Sequence, residues 1–467
     1  MYRHLVRTIA TLTALLLFAC VSYAETSDWT RFRGPDAAGF ADGVPAPLEM
    51  RPDGGFVWKR ATPAGKSSPI LSGSRLFITA HDGDRLLTIA FDRLTGETLW
   101  TREIQRTHTD ERNDMNDAAV PTPVTDGKAI YVFFADFGLA AYSIEGRELW
   151  RRPLGPFTSP HGIASSPLLI DGVLVLPLEQ RDDGAIIGID AATGEPKWKA
   201  PRPSSLGGSF TTPVAYRTTA GETQAVVSSP FELAGYDPQT GEKLWRVGGL
   251  PHQPKSSPLV AGDIIVVGVQ GDNARGRLKS WEKMRSDLDK DGSGAVEGPE
   301  IRGSIADYDR DGLFGRADYD QWVVEKSPAS LLMAVRPGGR GDLTSEAVLW
   351  RVDRGVPRVT TPLAYNGVLY LARNGGIFSS LDLETGAVRK EGRLREAIDE
   401  YFVSPVASDG KILVSSRGCI LTWIKAATEW EILGASDLGD ECFATPALGD
   451  DGIFVRTSSA LYRFAAQ

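Results

Sequence analysis

The stretch "SSPILSGSRLFITAHDGDRLLTIAFDRLTGETLW", residues 67–100, contains the unit from which the chain is built. It begins with a small hydroxyl residue before a proline, continues through apolar runs separated by Asp-Gly, and ends in Thr-Gly-Glu and a tryptophan. Apolar residues at alternate positions, bounded by turn residues, predict short β-strands. The stretch therefore predicts one small sheet of four strands.

The hydroxyl–proline marker recurs eight times, which predicts a repeat protein. Neighbouring copies lie 41 to 54 residues apart, except for one gap of 104 residues between Pro258 and Pro362. Four short strands in a unit of about 45 residues are typical of a propeller blade. The sequence therefore predicts an all-β, eight-bladed β-propeller of four-stranded antiparallel blades. The marker prolines are Pro69, Pro123, Pro167, Pro213, Pro258, Pro362, Pro405 and Pro446.

The two ends of the chain predict how the ring closes. The eighth repeat runs out after three strands, and "GGFVWKR" around Trp58 supplies a strand of the missing kind. Pairing this strand with the last repeat would remove the open sheet edges that invite aggregation. The tryptophan at the end of most repeats is expected to pack between blades.

Two of the repeats carry a more specific motif. "AFDRLTGETLW" (90–100) and "GIDAATGEPKW" (188–198) resemble the Ala-x-Asp-x-x-Thr-Gly-x-x-x-Trp motif of the quinoprotein-type (PQQ-like) eight-bladed propellers. The lead-in "WTRFRGPDAAG" (29–39) is similar to the opening of secreted members, some of which carry calcium-loop insertions. The resemblance implies the fold of these propellers, which include protein-binding outer-membrane assembly factors and PQQ-dependent dehydrogenases.

The first 24 residues predict export. They combine a basic start, an apolar run and small residues before the expected cleavage after Ala24, as in a secretory signal peptide. We expect a periplasmic or extracellular protein, with lipid attachment at Cys20 as the alternative. The chain has 51 basic and 60 acidic residues without a basic block, which argues against nucleic acid as a partner, and no transmembrane segment is expected. The predicted regions are a lead-in (25–55), a monomeric propeller (56–272 and 327–467) and an insertion (273–326).

The insertion fills the 104-residue gap and contains two candidate calcium loops of EF-hand type. A hard cation takes six to eight oxygen ligands, and a glycine at the sixth loop position permits the sharp turn. The second loop ends in an aspartate, one methylene shorter than glutamate, and we expect it to bind more weakly. Only six residues separate the loops, which predicts one short shared helix and a constitutive clamp. The alternative for either loop is an acidic turn without a metal. The predicted ligands are Asp289, Asp291, Ser293, the Ala295 carbonyl, Glu297 and Glu300, then Asp307, Asp309, Asp311, the Leu313 carbonyl and Asp318.

The four histidines that follow the signal segment fall in loops on the face that carries the insertion. Three arginines and one tyrosine occupy related places in later repeats. Together these residues predict a polar ligand-binding funnel at this end of the propeller axis. The alternative is a set of polar loops with no ligand. The predicted funnel residues are His81, His108, His161, His252, Arg358, Arg373, Tyr401 and Arg417.

These features favour a non-catalytic binding or scaffold protein whose ligand is a protein or polymer. The alternative is a PQQ- and calcium-dependent dehydrogenase of alcohols or sugars. Dehydrogenases of that family usually carry adjacent cysteines beside the quinone, whereas Cys419 and Cys442 lie 23 positions apart, and no Cys-x-x-Cys-His haem motif occurs. We therefore expect calcium, and not PQQ, as a cofactor. No catalytic residues are predicted. In an oxidising compartment Cys419 and Cys442 could form a disulfide.

Overall fold

The computed structural model describes residues 28–465, apart from 45–46, 160, 181–182, 203–207, 272–277, 302–304, 306, 308–310 and 327–328. The described residues form eight sheets, each with four antiparallel strands. Blade 4 gains a short parallel fifth strand, Gly341–Asp342, which reaches over from blade 5. The predicted eight-bladed β-propeller is confirmed. The predicted signal peptide, including Cys20, lies outside the described residues.

The strands of blades 1 to 7 run from the propeller axis outward in chain order, and the N-terminal strand is the outermost strand of blade 8. Blades 1 and 2 comprise Ile70–Ser72, Arg75–Asp82, Arg85–Asp92 and Thr98–Gln105, then Val124–Thr125, Ala129–Phe134, Gly138–Ser143 and Glu148–Pro153. Blades 3 and 4 comprise Leu168–Ile170, Val173–Leu178, Ala185–Asp190 and Pro196–Pro201, then Val214–Arg217, Thr223–Ser229, Glu232–Tyr236 and Lys243–Gly248. Blades 5 and 6 comprise Leu259–Ala261, Ile264–Val269, Leu331–Val335 and Val348–Val352, then Leu363–Tyr365, Val368–Arg373, Ile377–Asp382 and Val388–Arg393. Blades 7 and 8 comprise Val406–Ser408, Lys411–Ser415, Ile420–Lys425 and Glu431–Asp437, then Ala447–Gly449, Gly452–Arg456, Ala460–Phe464 and Phe56–Ala61.

The burial of a strand follows its place in the blade. All six residues of Ile264–Val269, a second strand, are buried because both of its faces pack against neighbouring blades. The outer strand Val388–Arg393 alternates between exposed and half-buried residues. The continuous apolar runs of the sequence are therefore the inner strands, and the alternating runs are the outer ones.

Blade 8 is completed by the N-terminal strand, as the truncated eighth repeat predicts. Phe56–Ala61 pairs antiparallel with Ala460–Phe464, which places Trp58 opposite Arg463. Trp58 then packs on the Thr-Gly turn of blade 1, where its Nε1 donates to the Arg93 carbonyl at 3.2 Å. Gly96 in that turn has a φ of +70°, and a Cβ there would lie 2.6 Å from the indole. The turn therefore requires glycine.

The same tryptophan-on-glycine contact joins four further pairs of neighbouring blades. In each pair the glycine has a positive φ and a Cβ on it would lie within 2.7 Å of the indole of the preceding blade. The Thr-Gly and Trp signals of the repeat are thus two halves of one inter-blade contact. The pairs are Trp100 with Gly146, Trp150 with Gly194, Trp198 with Gly241, and Trp350 with Gly386.

The hydroxyl residue before each marker proline closes a second ring, which we call the hydroxyl ring. The backbone N–H of each member donates to the side-chain oxygen of the member in the next blade, at 2.9–3.2 Å. The last bond, from the Thr445 N–H to the Ser68 Oγ, joins blade 8 to blade 1 at 3.0 Å. All eight members are buried. They are Ser68, Thr122, Ser166, Thr212, Ser257, Thr361, Ser404 and Thr445.

The lead-in closes the propeller axis from the face opposite the insertion. Trp29 pairs with Leu71 in the inner strand of blade 1, and residue 39 bonds to Ala407 in the inner strand of blade 7. Between them the buried Arg33 donates to the carbonyls of Thr361, Pro362 and Pro405. The lead-in thus contacts blades 1, 6 and 7 near the propeller axis.

The insertion leaves the propeller after Val269 and returns before Leu331. Its described residues form two helices, Trp281–Leu288 and Arg316–Lys326, and one 3₁₀ turn, Gly298–Glu300. The insertion has a small core of its own, made by Met284, Val296, Ile305, Phe314 and Trp322. The predicted shared helix between the loops spans residues 301–306, and four of these six residues lie outside the described residues. The 3₁₀ turn ends the first loop.

Candidate functional site

A cavity of about 380 Å³ lies on the propeller axis, at the face that carries the insertion. The hydroxyl ring lines the cavity, and Phe32 from the lead-in lines it as well. A second tier of lining residues lies two positions before each hydroxyl in the sequence, and we call this tier the inner rim. Each blade therefore contributes one residue to each tier. The inner rim consists of Lys66, Val120, Ala164, Phe210, Lys255, Val359, Phe402 and Phe443.

The cavity is lined by cations and by no carboxylate side chain of the described residues. Lys66 and Lys255 belong to the inner rim, and Arg358 stands one residue before it. The Lys66 ammonium donates to the Asp114 carbonyl at 2.9 Å and lies 4.3 Å from the centre of the Phe443 ring. Burial lowers the pKa of Lys66. The chain as a whole has a formal charge of −9, so the positive lining runs against its overall composition.

The connection between blades 1 and 2 covers one side of the cavity. Asn113 and Asn116 line the cavity and bind His161, whose Nδ1 lies 3.1 Å from the Asn113 amide nitrogen. This connection is held in place by the buried Asp136, whose carboxylate forms ion pairs with Arg106 and Arg112. Charge pairs that are buried in this way fix the path of the loop more than they add to stability.

Asp110 belongs to the same connection and does not line the cavity. Its Oδ1 accepts the Phe157 N–H at 3.1 Å, and His108 lies 3.6 Å away. Burial raises the pKa of Asp110. We interpret this carboxylate as part of the support of the loop, since it does not line the cavity.

Of the eight predicted funnel residues, the structure brings His161 and Arg358 to the cavity. The other six lie outside it. His81 pairs with Ala64 in an isolated β-bridge, and His252 packs on the Phe231 ring. The His108 Nε2 lies 2.9 Å from the Ala135 carbonyl oxygen.

Arg373, Tyr401 and Arg417 are likewise engaged away from the cavity. Arg373 binds Glu391 on the outer strand of blade 6. The Tyr401 hydroxyl is buried and donates to the Ala397 carbonyl at 2.7 Å. Arg417 forms ion pairs with Glu400 and Glu441. A long connection can reach the face that carries the insertion and still run away from the propeller axis. Lying on the same face therefore did not bring these side chains into one cavity.

A repeated sequence pattern indicates the inner-rim residues, which the prediction based on the histidines missed. "KSSP" occurs twice, at 66–69 and 255–258, and both lysines belong to the inner rim. Aligning the eight repeats on their prolines gives the inner rim as one column of the alignment. Phe32 carries no such signal, because the lead-in is not part of a repeat.

The first calcium loop has the local geometry of a cation site. Oxygen atoms of Asp289, Asp291 and Glu300 all lie within 4.8 Å of one another. The Asp289 Oδ2 accepts the Gly294 N–H at 2.9 Å, which joins the first and sixth positions of the loop. The Asp289 Oδ1 is buried and has no hydrogen-bond partner among the described residues. An orphaned carboxylate oxygen beside two further carboxylates fits a hard cation.

The frame of the first loop is supported by the residue just before it. Asp287 is held by Lys279 at 2.6 Å and by Lys283 at 2.8 Å, so its carboxylate is engaged outside the cluster. Ser293 and Glu297 of the predicted set lie in the loop, and the Ala295 carbonyl lies 3.5 Å from the Ser293 hydroxyl. Hydrogen bonds from Ser293 lower the pKa of Asp291.

The second loop repeats part of this geometry. The Asp307 Oδ2 accepts the Gly312 N–H at 2.9 Å, again between the first and sixth positions. The buried Asp318 accepts the Gly315 N–H at 2.8 Å. The two loops touch through the Phe314 N–H, which donates to the Val296 carbonyl at 2.8 Å. Asp311 and Leu313 lie in the described loop, whereas Asp309 lies outside the described residues.

A buried charge cluster between blades 3 and 4 lies apart from both sites. Glu179 is buried at 3.5 Å from Arg202 and accepts a hydrogen bond from Ser229. Burial raises the pKa of Glu179 to about 7. Burial acts in the same direction on Glu232, but hydrogen bonds from Arg202 and Lys243 outweigh it and lower the pKa of Glu232. The two carboxylates differ because Arg202 donates to Glu232 rather than to Glu179.

Cys419 and Cys442 form a disulfide, with their Cα atoms 4.8 Å apart. Both cysteines are buried in the core that blade 7 shares with blades 8 and 1. They pair with each other and do not line the axial cavity.

Comparison with protein families places this geometry in a known group. The family model described as outer membrane protein assembly factor BamB matches residues 50–161 and 157–291, which together make up more than half of the chain. The chain belongs to the BamB family of propellers. The BamB protein of Burkholderia pseudomallei strain K96243 is 26% identical over 234 residues, which cover 47% of this chain and 54% of that protein. The chain thus spans about half the length of this curated relative.

Solved structures extend the likeness in fold to nearly the whole of this BamB-family chain. BamB from Moraxella catarrhalis has a TM-score of 0.53 at 11% identity and covers 88% of this chain and 98% of its own. A europium-containing methanol dehydrogenase has a TM-score of 0.57 at 10% identity, covering 92% and 89%. The computationally designed Ika8 protein has a TM-score of 0.54 at 11% identity, covering 88% and 100%. At these identities the likeness concerns the fold alone.

Neither described helix of this BamB-family chain has the length and apolar character needed to cross a membrane.

Proposed function

We propose that this BamB-family propeller is an exported, non-catalytic binding protein whose ligand docks at the face that carries the axial cavity and the insertion. The observation that carries the proposal is the cavity itself, which is lined by one residue of each tier from every blade. A site built by all eight blades lies on a rigid ring, which suits recognition without rearrangement. The name of the matched family, an outer membrane protein assembly factor, supports a protein as the partner.

Calcium is the second part of the proposal. Asp289, Asp291 and Glu300 would hold a calcium ion in the first loop, with Ser293, the Ala295 carbonyl and Glu297 nearby. Asp307, Asp311, Asp318 and the Leu313 carbonyl, with Asp309, would form a weaker second site. Extracellular modules bind calcium with dissociation constants of about 10⁻⁴–10⁻³ M, so such a site is filled most of the time outside the cytoplasm. We propose that the ion keeps the insertion folded as one wall of the binding face.

Export is supported by the sequence of the first 24 residues and by the disulfide. Disulfides persist in oxidising compartments and are rare in the cytosol. We therefore propose a periplasmic or extracellular location, with lipid attachment at Cys20 as the alternative. Partition of the wild-type chain and of Cys20→Ser between membrane and soluble fractions distinguishes the two.

Site-specific photo-crosslinking tests which face binds the partner. A benzophenone amino acid at Phe402, on the inner rim, should give a covalent adduct with a defined partner in cells. The same probe at Leu94, which is 57% exposed in a turn on the opposite face, should not. Equal adducts from both positions, or an adduct from Leu94 alone, would contradict the proposal.

A turnover assay tests the non-catalytic part. The exported chain is incubated with PQQ, calcium, an electron-accepting dye and a panel of alcohols and aldoses. We expect no substrate-dependent dye reduction. Turnover that requires the quinone would instead establish the dehydrogenase alternative.

A further inference from the structure

The inner rim distributes its charges and its aromatic rings unevenly around the axis. Its two lysines come from blades 1 and 5, and in a ring of eight blades these two lie opposite each other. Its three phenylalanines come from blades 4, 7 and 8, between the lysines. Phe32 adds a fourth ring from the lead-in. The cavity thus has two cationic poles separated by apolar walls.

The hydroxyl ring adds hydrogen-bond donors below these poles. Each of its oxygens already accepts a backbone N–H, and none of the eight hydroxyls donates to another described residue. All eight are between 2% and 8% exposed. A hydroxyl that accepts one bond still has its own hydrogen to donate. The ring therefore offers donors to whatever occupies the cavity.

The carboxylates beside the cations do not line the cavity; near Lys66 they are Asp117, Glu441 and Asp114. Glu400 lies 3.7 Å from the Arg358 guanidinium and is shared with Arg417. Neither Glu400 nor Glu441 lines the cavity. Field lines from charges in a low-dielectric cleft are concentrated toward its opening, so a cationic lining selects for an anion even on an acidic protein.

From these three features we propose that the axial cavity binds a small, flat apolar molecule with an oxyanion group at each of two opposite ends. Lys66 and Lys255 would each meet one oxyanion, Arg358 would reinforce one of them, and the phenyl rings would contact the body of the ligand. The cavity volume of about 380 Å³ suits a small organic molecule. This inference rests on the proposed function only in taking the cavity face as the ligand-binding face.

Calorimetric titration of the exported chain with terephthalate, an aromatic dicarboxylate with its two charges at opposite ends, tests the inference. Phthalate, its isomer with adjacent carboxylates, has the same charge and composition and is the control for geometry. Terephthalamide is the neutral control. Phenylene bisphosphonate is a separate arm that distinguishes phosphorus-based oxyanions from carboxylates. We expect terephthalate or the bisphosphonate to bind at least about tenfold more tightly than phthalate, with no heat from the amide.

Variants locate the site. Lys255→Gln and Arg358→Gln should each weaken binding roughly tenfold, as expected for loss of a charged hydrogen bond. Arg358→Lys should recover part of the loss. The matched control is Arg354→Gln, at a side chain that is 95% exposed. Binding should also weaken between about 0.05 M and about 0.5 M salt.

Three results would overturn the inference: no binding of either dianion, equal binding of terephthalate and terephthalamide, or equal binding by the wild-type and Lys255→Gln proteins. A folded Lys255→Gln variant, judged by an unchanged unfolding midpoint, makes the last result decisive. A failure here with a crosslinked partner at Phe402 would reject the small anion and leave the proposed function standing.

Discussion

Removal of the Ser68 hydroxyl should destabilise the propeller at the seam where its first and last blades meet. The Ser68 Oγ accepts the Thr445 N–H at 3.0 Å, and both residues are buried. In Ser68→Ala this N–H loses its only acceptor in the hydroxyl ring. A buried donor that is left unsatisfied costs about 1–3 kcal/mol of the free energy of unfolding. Because water in the cavity can reach the ring, we expect the lower half of that range.

Urea denaturation is the appropriate assay. In a chain of this length 1 kcal/mol moves the melting temperature by little more than about 1 °C, whereas the urea midpoint and slope are measured directly. Ser166→Ala is the internal comparison, since it leaves the Thr122 N–H unsatisfied after a bond of 2.9 Å between blades 2 and 3. Ser458→Ala, at an exposed position of blade 8, is the control and should change the free energy by less than about 0.5 kcal/mol.

The three variants together can refute the reasoning in two ways. A Ser68→Ala protein as stable as the Ser458→Ala control would show that the hydroxyl ring does not contribute to closure. If Ser68→Ala lowers the free energy of unfolding several times more than Ser166→Ala does, the bonds of the hydroxyl ring contribute unequally. The contact between blades 8 and 1 would then limit stability. Equal costs at Ser68 and Ser166, with an unchanged urea slope, are the expected result.

Three further changes test other parts of the structure. Calcium chelation or Glu300→Gln should shift the tryptophan fluorescence of the insertion to longer wavelength and leave the urea midpoint of the propeller unchanged; a shift of the same size in the Asp287→Asn control would contradict the metal frame. Because burial raises the pKa of Glu179 from 4.5 to about 7, the folded chain keeps a proton that the unfolded chain releases, so the free energy of unfolding should fall as pH rises across this range. Glu179→Gln should flatten that pH dependence, as measured by urea denaturation at several pH values. If the free energy of unfolding of the variant depends on pH as strongly as that of the wild type, the assignment to Glu179 is refuted. Arg33→Met leaves several buried carbonyls without a donor and should cost about 3 kcal/mol or more, against a negligible cost for the exposed Arg51→Met.

The parts of the fold that repeat were predictable from the sequence. The eight hydroxyl–proline markers, the Thr-Gly turns and the tryptophans each make the same contact in several blades, so one local pattern predicts many long-range contacts. Closure by the strand around Trp58 followed from counting strands. These predictions succeed because each blade packs only against its neighbours, and the pattern therefore contains the interface.

The cavity was less predictable because it depends on where irregular segments run. The structure places three of the four histidines in connections, whereas His81 lies near the end of the strand Arg75–Asp82 and not in the predicted loop. Only His161 lines the cavity, since the others bind backbone or pack on rings outside it. The positions of Arg33 and Phe32 near the propeller axis could not be predicted either. It depends on contacts between residues about 330 to 370 positions apart, in a segment without repeat or periodicity.

The hydroxyl ring and the inner rim, the two tiers of the cavity, are under different structural constraints. The hydroxyl ring is required wherever neighbouring blades join, so its donors follow from the architecture and would face the axis whatever the ligand. The inner rim forms no such closed ring of bonds among the described residues, and its eight positions hold residues as different as Lys66, Ala164 and Phe210. The chemical selectivity of the cavity must therefore be set by the inner rim, together with Arg358 and His161. Exchanging the two lysines for the valines and alanine found at other rim positions should change the ligand without changing the fold.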